Sequence, residues 1–251
     1  MRKIIINGAG GKMGRVIAQT IEEMDNCEVI CGFDIKPPSI SAFPVYSDYK
    51  EFSGKGDVII DFSHPASLTG ILNYAVSSKT PIVVATTGLS VDQRREMKEA
   101  SKEVPVFFSA NMSLGVNLLI DLVCKAAAVL EDNYDIEIIE RHHNQKIDAP
   151  SGTALAIADA LNEQSEKGYE YIYDRHSQRR KRSREELGIH AIRGGTIVGD
   201  HTVLFAGKDE VIEIKHSAAS KEVFATGSIR AALFLCNQKQ GMYNMKDLVN
   251  G

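Results

Sequence analysis

Three consecutive isoleucines, Ile4 to Ile6, run directly into the glycine-rich stretch NGAGGKMGR (7–15), and Val16, Ile17, Ile21 and Met24 then recur at helical spacing. This reads as a buried strand, a tight turn and an amphipathic helix. Gly8 allows the turn. Gly10 and Gly11 let the backbone approach a pyrophosphate without a Cβ in the way, and the helix start offers N–H groups to the anion. Gly8, Gly11 and Gly14 fit a G-x-x-G-x-x-G spacing, whereas Met13 stands where the strict G-x-G-x-x-G pattern has its last glycine. Asp34 closes the next apolar run, EVICGFD (28–34), twenty residues past Gly14. An acid there can accept hydrogen bonds from ribose hydroxyls. A plain turn with a turn-forming aspartate is the simpler alternative, but loop, helix and acid together point to a dinucleotide.

The alternation continues. DVIIDF (57–62), PIVVATT (81–87) and VPVFFSA (104–110) read as strands, with an amphipathic stretch at 65–78 and a polar helix at 90–103 between them. Apolar strands alternating with helices imply a parallel sheet covered on both faces. Polar or flexible residues follow two of these strands, in ATTG (85–88) and SANMS (109–113). Ligands of open α/β sheets sit at the carboxyl ends of strands, so both segments are candidates to line the nicotinamide half of a cofactor.

The pattern changes after Ser113. A long helix (116–131) leads to YDIEIIE (134–140), then to a helix at 153–161. Alternating segments GIHAIR, GTIVGDHTVLFAG and EVIEIKHSAA follow, joined by glycine-rich turns, and a last helix spans 223–237. That is the signature of a mixed or antiparallel sheet. The charge run RHSQRRKRSREE (175–186) reads as a mobile, solvated loop, with a binding loop as the alternative.

Composition narrows the function classes. The 251 residues are 43% hydrophobic with a net charge of −4, which gives no general attraction to nucleic acid or to an anionic membrane. The four cysteines fit neither a zinc knuckle nor a C-x-x-C pair and read as core residues in a reducing compartment. Val116–Leu130 is broken by Asp121 and Lys125 and is too short to span a membrane. The apolar run at the N-terminus is too short for a signal peptide. The expectation is a cytoplasmic protein.

One stretch concentrates chemistry: ERHHNQKIDAPSGTA (140–154). Arg141, His142, His143 and Lys146 make a local positive site suited to a small anion. Pro150 suits a first helical position, and Ser151, Gly152 and Thr153 then present N–H groups and hydroxyls to a carboxylate. Histidine titrates near neutrality, so His142 or His143 can deliver a proton. Adjacent residues of extended chain point opposite ways, so the two histidines have different tasks. No fitting set of further ligands accompanies them, so no metal is expected. A solvated basic loop before a helix is the bland alternative.

Together with GAGGKMG, ATTG, SANMSLGVN and RGGTIVGDHTVLFAG, this stretch resembles the 4-hydroxy-tetrahydrodipicolinate (dihydrodipicolinate) reductases of diaminopimelate and lysine biosynthesis. The similarity runs from first strand to last helix, and the H-H-x-x-K-x-D-A-P-S-G-T motif is its specific part. The resemblance implies an α/β, Rossmann-like dinucleotide-binding domain (1–112 with 223–251) and an α+β domain with a mixed sheet (113–222) that binds substrate and builds a homotetramer. NADH and/or NADPH is the implied cofactor, contacted by Gly8, Ala9, Gly10, Gly11, Lys12, Met13, Asp34, Lys36, Ala85, Thr86, Thr87, Ser109, Ala110, Asn111 and Met112. His142 is the implied acid–base residue and Lys146 a second proton donor. His143, Lys146, Gly152 and Thr153 are the implied holders of a dicarboxylate. Two departures stand out. Ala85 replaces a common glycine, and Asp34 is followed by Ile35 and Lys36 where some members have arginine directly after the acid. The rival readings are another two-domain dehydrogenase, of the homoserine or aspartate type, and a non-catalytic dinucleotide sensor.

Overall fold

The computed structural model describes residues 1–250. The chain divides into two compact units, Met1–Leu114 with Lys221–Gly251, and Gly115–Ser220. The first unit is built on a seven-stranded sheet. Its strands are β1 (Arg2–Asn7), β2 (Cys27–Phe33), β3 (Val45–Tyr46), β4 (Val58–Asp61), β5 (Ile82–Val84), β6 (Pro105–Phe108) and β12 (Gly241–Tyr243). The order is β12-β6-β5-β4-β1-β2-β3. Every pairing in it is parallel.

Strand periodicity explains why both faces are covered. Ile4 and Ile6 lie in one apolar cluster with Ile17 and Ile21 of α1 (Lys12–Glu22) and with Ile229 and Leu235 of α6 (Glu222–Leu235). Ile5, between them, lies in a second cluster with Leu68 and Ile71 of α2 (Leu68–Ser78) and Met97 of α3 (Val91–Ala100). Alternate side chains of a strand point to opposite faces, so the isoleucine run feeds both. The chain winds from β1 to β2 and β3 on one side and to β4, β5 and β6 on the other. The sheet therefore has its topological switch point at β1, beside the glycine loop, where open α/β sheets bind ligands. The short strands β3 and β12 and the terminal helix α7 (Met245–Asn250) are additions to the sequence reading.

The second unit carries a five-stranded sheet in the order β11-β10-β7-β9-β8. Its strands are β7 (Asp135–His142), β8 (Glu170–Ile172), β9 (Glu186–Arg193), β10 (Gly199–Ala206) and β11 (Val211–Ala218). β10 runs antiparallel to both β7 and β11, whereas β9 runs parallel to β7 and β8, so the sheet is mixed. The helices α4 (Leu114–Leu130) and α5 (Gly152–Gln164) contribute Leu119, Val123, Ile157 and Leu161 to its core. Ile136, Ile138, Glu140 and His142 are the buried residues of β7 and alternate with partly buried ones. The same period that buries two isoleucines thus carries a carboxylate and an imidazole onto the core face.

The charge run at 175–186 is not a free loop. Arg182 reaches Asp135 at 2.8 Å, Glu137 at 2.9 Å and the carbonyl of Ile136 at 3.0 Å. Arg175 bonds Glu137 at 2.9 Å and Glu186 at 2.6 Å, and Arg180 also pairs with Glu186. The Arg175 hydrogen bond, the backbone N–H of Ser183 and the Arg180 charge hold the Glu186 carboxyl down to about 2. The sequence shows only a run of charge. Its acidic partners on β7 are some forty residues away in the chain.

Candidate active site

The glycine loop lies at the carboxyl end of β1. Gly8 has φ +84°, and a Cβ there would sit 2.7 Å from the carbonyl oxygen of Phe62. A Cβ on Gly14 would sit 2.3 Å from the carbonyl oxygen of Gly8, so these glycines are fixed by close backbone packing. Gly10 packs against Asp34. Its N–H donates to Asp34 Oδ2 at 2.9 Å, and a Cβ would stand 3.0 Å from that oxygen. Gly8 and Ala9 donate to the carbonyl of Phe33, and Gly11 to that of Gly8. The loop N–H groups are therefore consumed internally. Gly11 at the N-cap of α1 has no side chain to cap the helix start, so the first turn, at Lys12 and Met13, can offer N–H groups to an anion.

Asp34 is held from both sides. Oδ2 accepts from Gly10, and Oδ1 accepts from the N–H of Lys36 at 2.9 Å. Lys36 and Ile35 are exposed. A cleft of about 530 Å³ opens here, lined by Gly8, Gly11, Asp34, Ile35, Tyr49 and Ser63 among others. An uncapped helix start, a pinned carboxylate and an open cleft at the switch point fit a dinucleotide.

The segments at the ends of β5 and β6 are less uniform. Ala85 and Thr86 are buried and Thr87 is exposed. Thr86 Oγ1 donates to Asp61 Oδ2 at 2.8 Å. Ser109 Oγ bonds the carbonyl of Asn111 at 2.7 Å, and Asn111 Oδ1 accepts the N–H of Ser113 at 2.9 Å. Ala110 is exposed, whereas Met112 is 1% exposed and its side chain belongs to the core. Met112 can therefore face a ligand only through its backbone. Asp61 was not anticipated. It is fully buried at the end of β4 and accepts from Asn7 Nδ2 at 2.7 Å, Ser63 Oγ at 2.5 Å and Thr86. Burial pushes its carboxyl upward, against those hydrogen bonds. It ties the ends of β1, β4 and β5 together beneath the cleft.

The second unit carries the histidine motif. His142, at the end of β7, is 8% exposed, and its Nδ1 lies 2.6 Å from Glu140 Oε2. Glu140 is fully buried; Arg193 grips both of its oxygens, at 2.7 and 2.8 Å, and the N–H of Ser151 reaches Oε1 at 3.0 Å. Burial opposes the Glu140 charge, but Arg193, His142 and the Ser151 N–H outweigh it and hold the carboxyl below its ordinary range. On β10, His201 stacks edge-on against His142 with ring centroids 5.2 Å apart, and its Nε2 lies 3.0 Å from Ser151 Oγ. Burial, with a smaller contribution from His142, pushes His201 down to about 4, so it is neutral at pH 7. Gly199 gives His142 its space: a Cβ there would stand 3.0 Å from Nε2.

Two expectations need correction. The basic cluster is not an unbalanced positive patch, because Arg141 pairs with Asp200 at 2.9 Å and Lys146 with Asp148 at 2.8 Å. Pro150 is not the first helical residue. Ser151 is the N-cap, its Oγ accepting from Ala154, and α5 begins at Gly152. Gly152 is exposed, and a Cβ on it would meet nothing within 4 Å. His143 and Thr153 are partly buried, His143 on the loop after β7 and Thr153 in the first turn of α5.

Both halves of the chain match family models: residues 2–112 that of the N-terminus of dihydrodipicolinate reductase, and residues 115–249 that of its C-terminus. The chain belongs to the dihydrodipicolinate reductase family. Among its relatives, the 4-hydroxy-tetrahydrodipicolinate reductase of Caldanaerobacter subterraneus subsp. tengcongensis is 53% identical, covering 99% of this chain and 98% of the relative. That of Clostridium tetani is 46% identical, covering 100% and 98%. A dipicolinate-bound dihydrodipicolinate reductase from Paenisporosarcina sp. TG-14 shares the fold with a TM-score of 0.83, at 22% identity and 97% coverage of each chain. An aspartate dehydrogenase from Thermotoga maritima shares it more loosely, with a TM-score of 0.52 at 13% identity. The dihydrodipicolinate reductase model of the C-terminus takes in the second unit and the returning helix α6 alike. Glu140, Arg193, His201 and Asp61 escaped the reading of this reductase sequence. Glu140 alone had a signal, its two-residue spacing from His142 on a strand.

Proposed function

We propose that the protein uses NADH or NADPH to reduce 4-hydroxy-tetrahydrodipicolinate to tetrahydrodipicolinate, a step of diaminopimelate and lysine biosynthesis. The observation that carries this reading is the buried Glu140–His142 pair beside the start of α5, within a chain that matches the family's models from residue 2 to residue 249. The bound dinucleotide supplies a hydride. In this reading Asp34 accepts from a ribose hydroxyl, and the first turn of α1, Lys12 and Met13, receives the pyrophosphate. Gly8 to Gly11 shape that turn, while Lys36, Ala85, Thr86, Thr87 and Ser109 to Met112 line the remainder of the cofactor site.

The dicarboxylate substrate is held by His143, Lys146, Gly152 and Thr153. A helix N-terminus favours an anion, and Gly152 leaves room for a carboxylate to approach the backbone. Lys146 exchanges its bond to Asp148 for one to the substrate. His142, with Nδ1 committed to Glu140, has Nε2 left for the substrate and donates the proton that the reduced carbon skeleton requires. Hydride and proton together, with loss of water, balance the reduction. Lys146 is the second candidate donor. Among the described residues no helix is long and apolar enough to cross a membrane, and we place the protein in the cytoplasm. A homotetramer built on the second unit is favoured by the exposed Val211 and Ile212 on its edge strand β11.

The test follows nicotinamide absorbance with freshly generated substrate. Oxidation of NADH or NADPH that depends on the substrate and yields tetrahydrodipicolinate supports the reading. Tight NADH binding without turnover supports a sensor, and turnover of aspartate or homoserine instead supports a different dehydrogenase.

A further inference from the structure

We infer that Glu140, clamped by Arg193, is the positioning residue that makes Nε2 the proton-donating atom of His142 and faces its imidazolium with a negative charge. This rests on the reading of His142 as the proton donor. The geometry is specific. A fully buried carboxylate meets Nδ1 of His142 at 2.6 Å, so that nitrogen keeps its proton and faces an acceptor. Nε2 is on the other side of the ring, toward Gly199. When the imidazolium gives its proton to substrate carbon, the Nε2–H bond breaks and a C–H bond forms. The imidazole that remains is already in the Nδ1–H form, with no proton to relocate. Such carboxylate–imidazole pairing fixes tautomer and ring orientation alike.

Arg193 gives the arrangement its balance. It bonds both oxygens of Glu140 through its two terminal nitrogens, and one of these also reaches the carbonyl of Asp148 at 2.6 Å. A two-point fork of this kind restrains the carboxylate in angle as well as in distance. It also offsets part of the charge that His142 feels. The other groups around His142 are accounted for. His201 on β10 is neutral at working pH. His216 on β11, opposite His201, is pushed down by burial. Arg141 is paired with Asp200, and Lys146 with Asp148. Glu140 also accepts from the N–H of Ser151, the N-cap of α5. One carboxylate therefore ties the proton donor to the start of the helix proposed to hold the substrate.

The charges give the two variants opposite signs. Glu140→Gln removes the negative charge and leaves Arg193 beside His142, so the imidazolium becomes harder to form. Loss of kcat on the alkaline side should then begin at lower pH, because the imidazolium has lost its opposite charge. Arg193→Met leaves Glu140 uncompensated, and the same limb should move to higher pH. Arg193→Lys should largely restore it. NADH affinity should change little in all three. A wild-type alkaline limb in Glu140→Gln, with only KM or stability altered, would overturn the inference. If His142→Gln kept normal kcat, the underlying reading would fall first. A measurement on the unaltered protein serves even if a variant does not fold. Nitrogen-15 NMR of labelled histidine should show His142, once neutral, with its proton on Nδ1. A proton on Nε2 in that form would refute the inference.

Discussion

Protonating His201 should loosen the sheet of the second unit. This ring is 3% exposed, and its Nδ1 is buried with no hydrogen-bond partner among the described residues. Burial lowers it from an ordinary 6.5 to about 4. The unfolded chain therefore binds a proton between pH 6.5 and pH 4 that the folded chain refuses, and stability in this window rises with pH. The contribution is fully present above pH 6.5 and is lost as the pH falls toward 4. Each tenfold difference in proton affinity is about 1.4 kcal/mol, so the complete effect is on the order of 3 kcal/mol, with roughly 2 kcal/mol of it gone by pH 5. Other groups titrate in the same window, so the informative quantity is a difference between proteins at matched pH. His201→Gln keeps a partner for Ser151 Oγ but cannot titrate. Hydrogen exchange read by mass spectrometry on peptides from β7 and β10 reports local stability. Between pH 7 and pH 5 the wild type should lose roughly twentyfold more protection in these peptides than the variant. Equal losses would show that His201 is not held neutral by burial.

The remaining predictions concern the two candidate subsites. Asp34→Ala should weaken NADH binding clearly, and the wild type should use both cofactors with a modest NADH bias, because Asp34 repels a 2′-phosphate and Lys36 partly offsets it. Titrating both dinucleotides checks this, and a hundredfold NADPH preference or unchanged NADH affinity in the variant would sink the ribose assignment. Gly14→Ala should cost about 1–3 kcal/mol and most of the cofactor affinity, because its Cβ would lie 2.3 Å from the carbonyl oxygen of Gly8 and backbone has to move; thermal melts with and without NADH measure both. Gly152→Val should raise substrate KM about tenfold or more, a loss of about 1.4 kcal/mol, while NADH affinity holds. A Cβ there meets nothing within 4 Å, so equal loss of both affinities would count against a substrate role.

Much of the fold was legible because its signals are local. The isoleucine run, the glycine spacing and Asp34 lie within the first 34 residues, and period-2 burial places β7 correctly. What escaped depends on pairs distant in sequence. Arg193 meets Glu140 across 53 residues, and Asp61 meets Asn7 across 54. The basic run at 175–186 read as solvated because its partners, Asp135 and Glu137, belong to a strand that alternation had already explained. Gly10 shows a subtler limit. Nothing in the loop itself shows that its N–H donates to the carboxylate of Asp34, 24 residues on. The short strands β3, β8 and β12, two or three residues each, form only because neighbouring strands offer open edges, and no periodicity announces them.

The most direct test of the account is the turnover of His142→Gln with NADH and freshly generated substrate from pH 6 to pH 9, a range that brackets histidine titration. A positioned general acid contributes about 10²–10⁴-fold, and glutamine preserves size and some hydrogen bonding without titrating. kcat should fall by that order, KM should rise much less, and the pH-dependent limb expected of the wild type should be lost. A near-normal kcat across the whole range would contradict it and move the proton to Lys146 or to water.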